Sequence, residues 1–229
     1  PGDVGESRLN RCVAFLEPFT NVFSISYDLL LYWVAMHGLQ ILKERDGFRN
    51  SLDEPDAPYC VFSEHLRGQK GILFVHGALH IYAEDGEVRK HTWTKSGVAL
   101  IELVRNGLAK GEYPLFVAEG DSSKKRDQIL HNGYLDYCFG KLTRIEAPLV
   151  TFGFSFGDSD GHILDAIVHN PKLEQLYVGV FEPESTEGKK TVAAATALAA
   201  RRKTLIAGGF KGKQLDVSVF NSKTCSVWD

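Results

Sequence analysis

The stretch from residue 150 to residue 164 constrains the fold more than any other part of the chain. It starts as an apolar, β-prone run, passes through glycines and small polar residues, and continues directly into a helical pattern. Such a strand–loop–helix unit is typical of α/β sheets, in which ligands bind at the carboxyl ends of strands. The loop also contains G-x-S-x-G, the signature of a serine nucleophile elbow. Two alternatives therefore arise, a nucleotide-binding loop and a hydrolase nucleophile.

The other elements predict a single α/β domain over residues 1–229. Strands are expected at 21–26, 71–75, 113–118, 149–154, 176–181 and 215–220. Helices are expected at 8–16, 27–42, 98–108, 121–144, 161–168 and 191–203. Segments 79–82 and 88–93 flank a D-G turn and predict a β-hairpin, whereas the polar segments 46–58 and 182–190 predict loops, the second of them mobile. This alternation favours a mainly parallel sheet with helices on both faces and an inserted β-hairpin.

Composition limits the classes of function. Hydrophobic residues make up 44% of the chain and charged residues 24%, and the net charge is −3, so nothing indicates nucleic-acid or membrane binding. The short basic clusters at 124–126 and 201–203 are interpreted as solvated helix faces. The polar, acidic start of the sequence predicts no secretory signal, and the apolar run 28–36 is too short to span a bilayer.

The four cysteines are widely scattered, with no C-x-x-C spacing. This spacing argues against a zinc ribbon and favours free thiols in a reducing cytoplasm. We therefore expect a cytoplasmic protein, and a homo-oligomer remains open.

Polar residues follow three of the predicted strands, at 24–28 (S-I-S-Y-D), 75–80 (V-H-G-A-L-H) and 153–162. In a parallel sheet such loops gather at one edge, so we expect the three to build a single pocket.

A serine hydrolase is one chemistry for these loops. Ser155 would be the nucleophile, and residues 72–77 resemble the strand and His-Gly turn that build the oxyanion hole of α/β-hydrolases. That fold needs the chain order nucleophile, acid, histidine. Only His162 and His169 follow Ser155, both in the next predicted helix, so the late histidine that would activate the serine is missing.

A metal site is a second chemistry. His76 and His80 form H-x-x-x-H beside strands, where four residues span about 13 Å, so they share a metal only if Gly77 bends the chain. Further ligands could come from Asp158, Asp160 and His162. The pattern matches no standard ligand set, and no metal is predicted.

A third alternative rests on a resemblance. Residues 22–30 (VFSISYDLL) resemble the "T-x-N-Y-D" motif of sirtuin-like NAD-consuming domains, residues 74–77 (FVHG) their "L-H-G" motif, and residues 151–160 their "G-[YF]-S-x-x-D-x-D" loop. The motifs occur in the same order, and their spacing is most similar to that of an uncharacterised bacterial family allied to these domains. The resemblance covers most of residues 21–181 and implies a Rossmann-like fold that binds NAD.

The resemblance also implies roles for individual residues. His76 would be the catalytic histidine near the nicotinamide ribose, with Ser26 and Asp28 beside it. Gly153 and Ser155 would approach the adenosine ribose and phosphates. The remaining residues implied to bind the cofactor are Ser24, Tyr27, Gly77, Asp158, Asp160 and His162.

The chain departs from that family in three ways. Ser26 stands where a catalytic Asn is expected, and the cysteine pairs of the deacylating sirtuins' zinc module are absent. The family's Gly-rich pyrophosphate loop should lie upstream of residue 1, so we expect this chain to lack it. The missing cysteine pairs favour NAD hydrolysis over protein deacylation, whereas Ser26 and the missing Gly-rich loop favour a catalytically inactive domain.

The leading hypothesis is thus an NAD glycohydrolase acting on a small-molecule nucleotide, a defence effector by family analogy alone. The alternatives are a catalytically inactive nucleotide-sensing or protein-interaction domain, and the serine hydrolase using Ser155.

Overall fold

The computed structural model describes residues 4–42, 46–63 and 71–227, and the contacts among them group the chain into two compact units. The first unit comprises the residues up to Ala118 together with Gln128–Cys138. The second comprises Glu119–Asp127 and the residues from Phe139 onward. Among the helices of these described ranges, none is both long enough and apolar enough to cross a membrane.

The helices and strands alternate irregularly in the first part of the chain. In order they are α1 (Glu6–Leu16), β1 (Asn21–Ser24), α2 (Leu30–His37), α3 (Leu39–Leu42), β2 (Phe48–Asn50), β3 (Tyr59–Phe62), β4 (Gly71–Phe74), β5 (Gly77–Glu84), β6 (Glu87–His91), α4 (Trp93–Ser96), α5 (Leu100–Lys110) and β7 (Pro114–Phe116). Two helices follow, α6 (Ser122–Leu130) and α7 (Gly133–Leu142). The remaining elements are β8 (Leu149–Phe152), α8 (Gly161–Val168), β9 (Gln175–Val180), α9 (Thr186–Ala207) and β10 (Asp216–Asn221).

The predicted fold class, a Rossmann-like, mainly parallel sheet with helices on both faces, is wrong. The described strands form three small sheets. In the first unit β1 pairs with β4 in parallel, and five strands in the order β2-β3-β6-β5-β7 form an antiparallel sheet. In the second unit β8, β9 and β10 form a parallel sheet with β9 in the centre. The largest sheet is therefore antiparallel.

Short strands account for this error. The strand β2 lies within the polar segment 46–58 that the sequence predicts to be a loop, and β3 begins at the residue after this segment. The strand β7 was expected in a parallel sheet but pairs antiparallel with β5. Each of these strands has three or four residues, too few for an alternation pattern to reveal a partner or a direction.

The predicted hairpin is confirmed as β5 and β6. Its turn residues Asp85 and Gly86 have φ angles of 52° and 80°, which are the left-handed conformations that a type I′ turn requires. The hairpin is not an insertion in a parallel sheet, however. Its two strands are two of the three inner strands of the antiparallel sheet.

The second unit follows the predicted order of strand, helix, strand, helix, strand. The central strand β9 buries Leu176, Val178 and Val180. Helix α9 begins earlier than expected, so most of the polar segment 182–190 is not a mobile loop. Ser185 caps this helix, because its Oγ accepts a hydrogen bond from Gly188 N at 3.0 Å.

Two predicted long helices are each split in the structure. Gly38 separates α2 from α3, and a Cβ at this position would lie 2.5 Å from Val13 Cγ2, so the close packing of α1 requires glycine. Asn132 separates α6 from α7, and its Oδ1 accepts hydrogen bonds from Tyr134 N and Leu135 N at 3.1 and 3.2 Å. This side chain starts a new helix where the sequence pattern predicts continuity.

Arg202 is buried in the second unit, which corrects the prediction that residues 201–203 form a solvated face. Its guanidinium donates hydrogen bonds to five carbonyl oxygens, those of Ile167, Val168, Asn170, Leu173 and Lys213. Burial lowers the pKa of this guanidinium because it disfavours the charged form. The five hydrogen bonds offset this cost of burying the charge. Three of the acceptors lie in or just after the last turn of α8, where a positive charge stabilises the helix dipole.

All four cysteines are free thiols, as predicted. Cys12 and Cys138 are buried. Burial raises the pKa of the Cys138 thiol to about 12, so this side chain is an inert core residue rather than a nucleophile.

Candidate functional site

The parallel pair β1 and β4 brings together two of the predicted loops in the first unit. The two strands run in register, with Ser24 opposite Phe74, so both end at the same edge. Val75 N donates to Ser24 O at 2.8 Å, and Leu79 N donates to Tyr27 O at 2.9 Å. Residues 24–28 and the turn at 75–77 are thereby held side by side, as the sequence predicts. We call this part of the first unit the β1–β4 edge.

The loop after β1 is organised by its own side chains. Ser24 Oγ donates to Ser26 O at 2.9 Å and accepts from Ser26 N at 3.2 Å. Ser26 Oγ donates to Asp28 Oδ2 at 2.6 Å, and Asp28 Oδ1 accepts from Leu30 N at 2.7 Å. Both oxygens of Asp28 are therefore engaged, and the carboxylate is fixed at the start of α2. The hydrogen bond from Leu30 N is what a purely structural helix-capping residue would form. Asp28 also lies at the β1–β4 edge, so its position fits a functional role as well.

His76 lies in the turn that leaves β4. Its side chain is buried, with only 3% of the residue exposed, and its carbonyl oxygen accepts a hydrogen bond from Val117 N at 2.8 Å. The next residue, Gly77, has a φ angle of +76°. A Cβ on Gly77 would lie 2.0 Å from Leu115 O. Only glycine therefore allows β7 to close against this turn and fix the backbone of His76.

An aromatic pair lies at the same edge. The rings of Tyr27 and Phe116 are stacked, with their centroids 5.2 Å apart and an interplanar angle of 28°. Both residues stay exposed, Tyr27 by 44% and Phe116 by 41%. Sequence reasoning missed Phe116, because nothing in a short strand indicates which residue will contact a loop far away in the chain.

His80, which the metal hypothesis paired with His76, belongs to the core of the first unit. Its ring is fully buried and lies 4.6 Å from the Tyr32 ring and 5.1 Å from the Phe74 ring, between centroids. Neither ring nitrogen has a hydrogen-bond partner among the described residues. Burial, and to a lesser extent the charges of Lys90 and His91, lowers the pKa of His80 well below the usual value. These surroundings keep the ring neutral and favour a structural role.

The loop after β8 belongs to the second unit and has a bent backbone. Gly153 and Phe156 have φ angles of 68° and 58°. Phe156 is buried and packs on Phe154 with ring centroids 4.5 Å apart, whereas Gly153, Ser155 and Asp158 are exposed. The packing of the two phenylalanines therefore holds the loop in place, while Gly153, Ser155 and Asp158 face solvent.

Two further predicted residues of the second unit contact helix α6. Asp160 accepts a hydrogen bond from Lys125 Nζ at 3.1 Å, and His162 Nδ1 lies 3.4 Å from Ser122 Oγ. Lys125 is buried, contrary to the prediction that residues 124–126 form a solvated face. Lys125 lies three residues after Ser122, so both residues are on the same side of the helix. This spacing could have indicated that Lys125 faces the protein, but the run of basic residues suggested a solvated face instead.

The serine-hydrolase alternative gains no support from the backbone of this loop. A nucleophile elbow holds its serine on a sharp, strained turn. Here the strained non-glycine residue is Phe156, and Ser155 is not among the residues with positive φ. The assignment of Ser155 as a nucleophile stays a prediction.

A separate depression of about 450 Å³ lies on the second unit, between the start of α9 and the end of β10. Its lining includes Glu184, Lys189 and Asn221, and it contains none of the predicted site residues. It therefore adds nothing to the sequence-based assignment of function.

Comparison with known proteins gives one family. No curated protein matches the chain. A family match extends over residues 3–228, which is nearly the whole sequence. The chain therefore belongs to the family described as "Domain of unknown function (DUF4917)".

Proposed function

We propose that the first unit binds NAD at the β1–β4 edge and hydrolyses the bond between nicotinamide and ribose. The observation that carries the proposal is the pairing of residues 24–28 with the His76 turn by two main-chain hydrogen bonds. These are the two segments that resemble the "T-x-N-Y-D" and "L-H-G" motifs. About fifty residues separate them in the sequence, so their contact supports the resemblance independently of the motifs themselves.

The proposed reaction breaks the bond from the ribose C1′ to the pyridinium nitrogen. The bonding electron pair leaves with the ring, which departs as neutral nicotinamide, and the oxygen of water forms the new bond to C1′ while its proton goes to a base. The transition state resembles an oxocarbenium cation, so nearby dipoles and negative charge lower its energy. In this proposal His76 binds the ribose hydroxyls and Asp28 supplies the negative charge, held in position by Ser26 and Leu30 N.

For the loop after β8 the proposal is limited to contact with a nucleotide. Gly153 and Ser155 are exposed and available for such contact. Asp160 and His162 already contact Lys125 and Ser122 within the second unit, so we assign them the supporting role of fixing this loop.

One observation favours an alternative, a domain that binds the nucleotide without hydrolysing it. Ser26 takes the place of the expected Asn and donates its hydroxyl to Asp28 at 2.6 Å. A serine side chain is shorter than asparagine and lacks the amide, so it offers less to position a water molecule. Hydrolysis would then be slow or absent while binding persisted.

Nicotinamide release from NAD, followed by chromatography, distinguishes these functions. We expect release by the wild-type protein and its loss in His76→Gln, with circular dichroism and melting temperature showing that the variant is folded. We expect faster release in Ser26→Asn. A melting temperature raised by NAD without any release would favour the non-hydrolytic alternative. If NAD is not cleaved and also does not raise the melting temperature, NAD binding is refuted.

A further inference from the structure

Phe116 owes its position to the geometry of the His76 turn. In the pairing of β5 with β7, Gly77 lies opposite Phe116, and the next residue, Val117, donates its N–H to His76 O at 2.8 Å. A Cβ on Gly77 would come within 3.0 Å of Phe116 Cα. The backbone of Phe116 is therefore fixed on both sides by the residues that form the candidate site.

The backbone of Tyr27, whose ring stacks on that of Phe116, is also held in place. Tyr27 accepts a hydrogen bond from Leu79 N at 2.9 Å, and it lies between Ser26 and Asp28, whose side chains are joined to each other. The two rings contact each other at 5.2 Å between centroids, yet more than two fifths of each residue stays exposed. The result is an exposed aromatic surface formed by the residue that precedes Asp28 in the chain and by the residue that pairs with Gly77 in the His76 turn.

Such a surface has a charge preference. The faces of Tyr and Phe rings carry partial negative charge and attract a cation placed over them within about 6 Å. A planar cationic ring gains both this attraction and stacking. A neutral, puckered ring of similar size gains less, and a ligand without the ring gains neither.

We propose that the Tyr27–Phe116 pair is a platform for the cationic pyridinium ring of NAD and that it selects the oxidised dinucleotide over the reduced one. This inference rests on the proposed function, because that function places the nicotinamide end of the substrate at the β1–β4 edge. It adds Phe116 as a specificity-determining residue. The same platform favours product release, because cleavage converts the pyridinium cation into neutral nicotinamide and removes the attraction.

The test is equilibrium binding, measured by calorimetry on the whole protein with three ligands. Carba-NAD keeps the pyridinium cation but resists hydrolysis, NADH has a neutral dihydropyridine, and ADP-ribose lacks the ring. We expect wild-type protein to bind carba-NAD more tightly than NADH. In Phe116→Leu, which keeps apolar bulk, we expect the affinity for carba-NAD to fall about fivefold with little change for ADP-ribose. Phe116→Tyr should retain wild-type affinities.

Tyr113→Leu is the matched control, because Tyr113 is an aromatic residue just before β7 and is 73% exposed. It should leave all three affinities unchanged. If Phe116→Leu weakens carba-NAD and ADP-ribose equally, or weakens neither, the platform is refuted while NAD binding stands. If the wild-type protein binds neither carba-NAD nor ADP-ribose, the proposed function fails as well, and the two failures are thereby distinguished.

Discussion

Replacing Arg202 with methionine removes the most highly connected side chain of the second unit. Methionine keeps much of the apolar volume but none of the donors. Five carbonyl oxygens lose a charged donor at once, and they come from the end of α8, the turn after it and the segment before β10. Because Arg202 is fully buried, its guanidinium donates to these oxygens away from bulk water.

The expected cost follows from two opposing effects. A hydrogen bond to a charged group contributes about 1.5–3 kcal/mol, so five bonds would sum to roughly 7–15 kcal/mol. Burying the guanidinium offsets much of that gain, as the lowered pKa of Arg202 indicates. The substitution leaves no buried charge behind, only neutral carbonyl oxygens without a donor, and each of these costs about 1–3 kcal/mol. Since the loss of the buried guanidinium offsets part of that cost, we expect a net loss of about 3–5 kcal/mol. That is a large share of the free energy of unfolding, which is about 5–15 kcal/mol for most proteins.

Urea denaturation followed by far-ultraviolet circular dichroism measures this loss. Arg201→Met is the matched control, since Arg201 is half-exposed and forms an ion pair with Asp165 at 2.5 Å. We expect the control to change stability by at most about 0.5 kcal/mol, because exposed ion pairs contribute little. Arg202→Lys, with three donors on a shorter reach, should fall between wild type and Arg202→Met. An Arg202→Met protein as stable as the Arg201→Met control would refute the reasoning.

Two further predictions concern glycines with a left-handed backbone and the buried His80. Gly77→Ala should prevent β7 from closing on the His76 turn, because its Cβ would lie 2.0 Å from Leu115 O, and the melting temperature should fall sharply. Gly153 has a similar φ angle, but an added Cβ there would lie in open space, so Gly153→Ala is the matched control. We expect it to lose only the cost of about 1 kcal/mol for the left-handed backbone. Equal losses of stability in the two variants would contradict the steric argument. Burial lowers the pKa of His80 in the folded protein, so the unfolded chain binds more protons below about pH 6.5 and stability falls as the pH decreases through that range. His80→Leu should flatten the dependence of stability on pH between about 7 and 5, leaving the contribution of His91, whose pKa burial lowers to about 4; an unchanged pH profile would show that His80 does not titrate on unfolding.

The second unit is the part of the fold that the sequence predicts best. Its strands β8, β9 and β10 are separated by helices, and such connections bring parallel strands together by local rules of chain geometry. The boundaries of α8 agree with the sequence pattern because Gly161 and the apolar residues after it mark the helix clearly. The early start of α9 depends on one capping contact from Ser185 within a polar segment, which composition alone does not reveal.

The first unit is less predictable because its sheets depend on long-range pairing. The contact between the loop after β1 and the His76 turn could be anticipated, since both strands are apolar runs followed by polar residues. The antiparallel pairing of β7 with β5 could not be anticipated, because it depends on the space left by the missing side chain of Gly77. Its consequence, the stacking of Phe116 on Tyr27, was missed for the same reason.

Charged residues show the same division between local and distant information. A run of basic residues predicts a solvated helix face, and this holds for Arg201 but not for Arg202 or Lys125. Lys125 is buried because it pairs with Asp160, which lies 35 residues further along the chain. Arg202 is buried because distant carbonyl groups surround it. In both cases the partner, and not the local sequence, decides the burial.

The most direct measurement of the proposed function is nicotinamide release from NAD by wild-type protein, by Asp28→Asn and by Asp53→Asn. Asp28→Asn keeps the shape of the side chain at the β1–β4 edge but removes its charge, whereas Asp53 is an exposed aspartate elsewhere in the same unit. We expect wild-type protein and Asp53→Asn to release nicotinamide at the same rate and Asp28→Asn to release it at least about tenfold more slowly, since one developing positive charge loses a fixed negative partner. Equal rates in all three proteins would contradict catalysis at the β1–β4 edge.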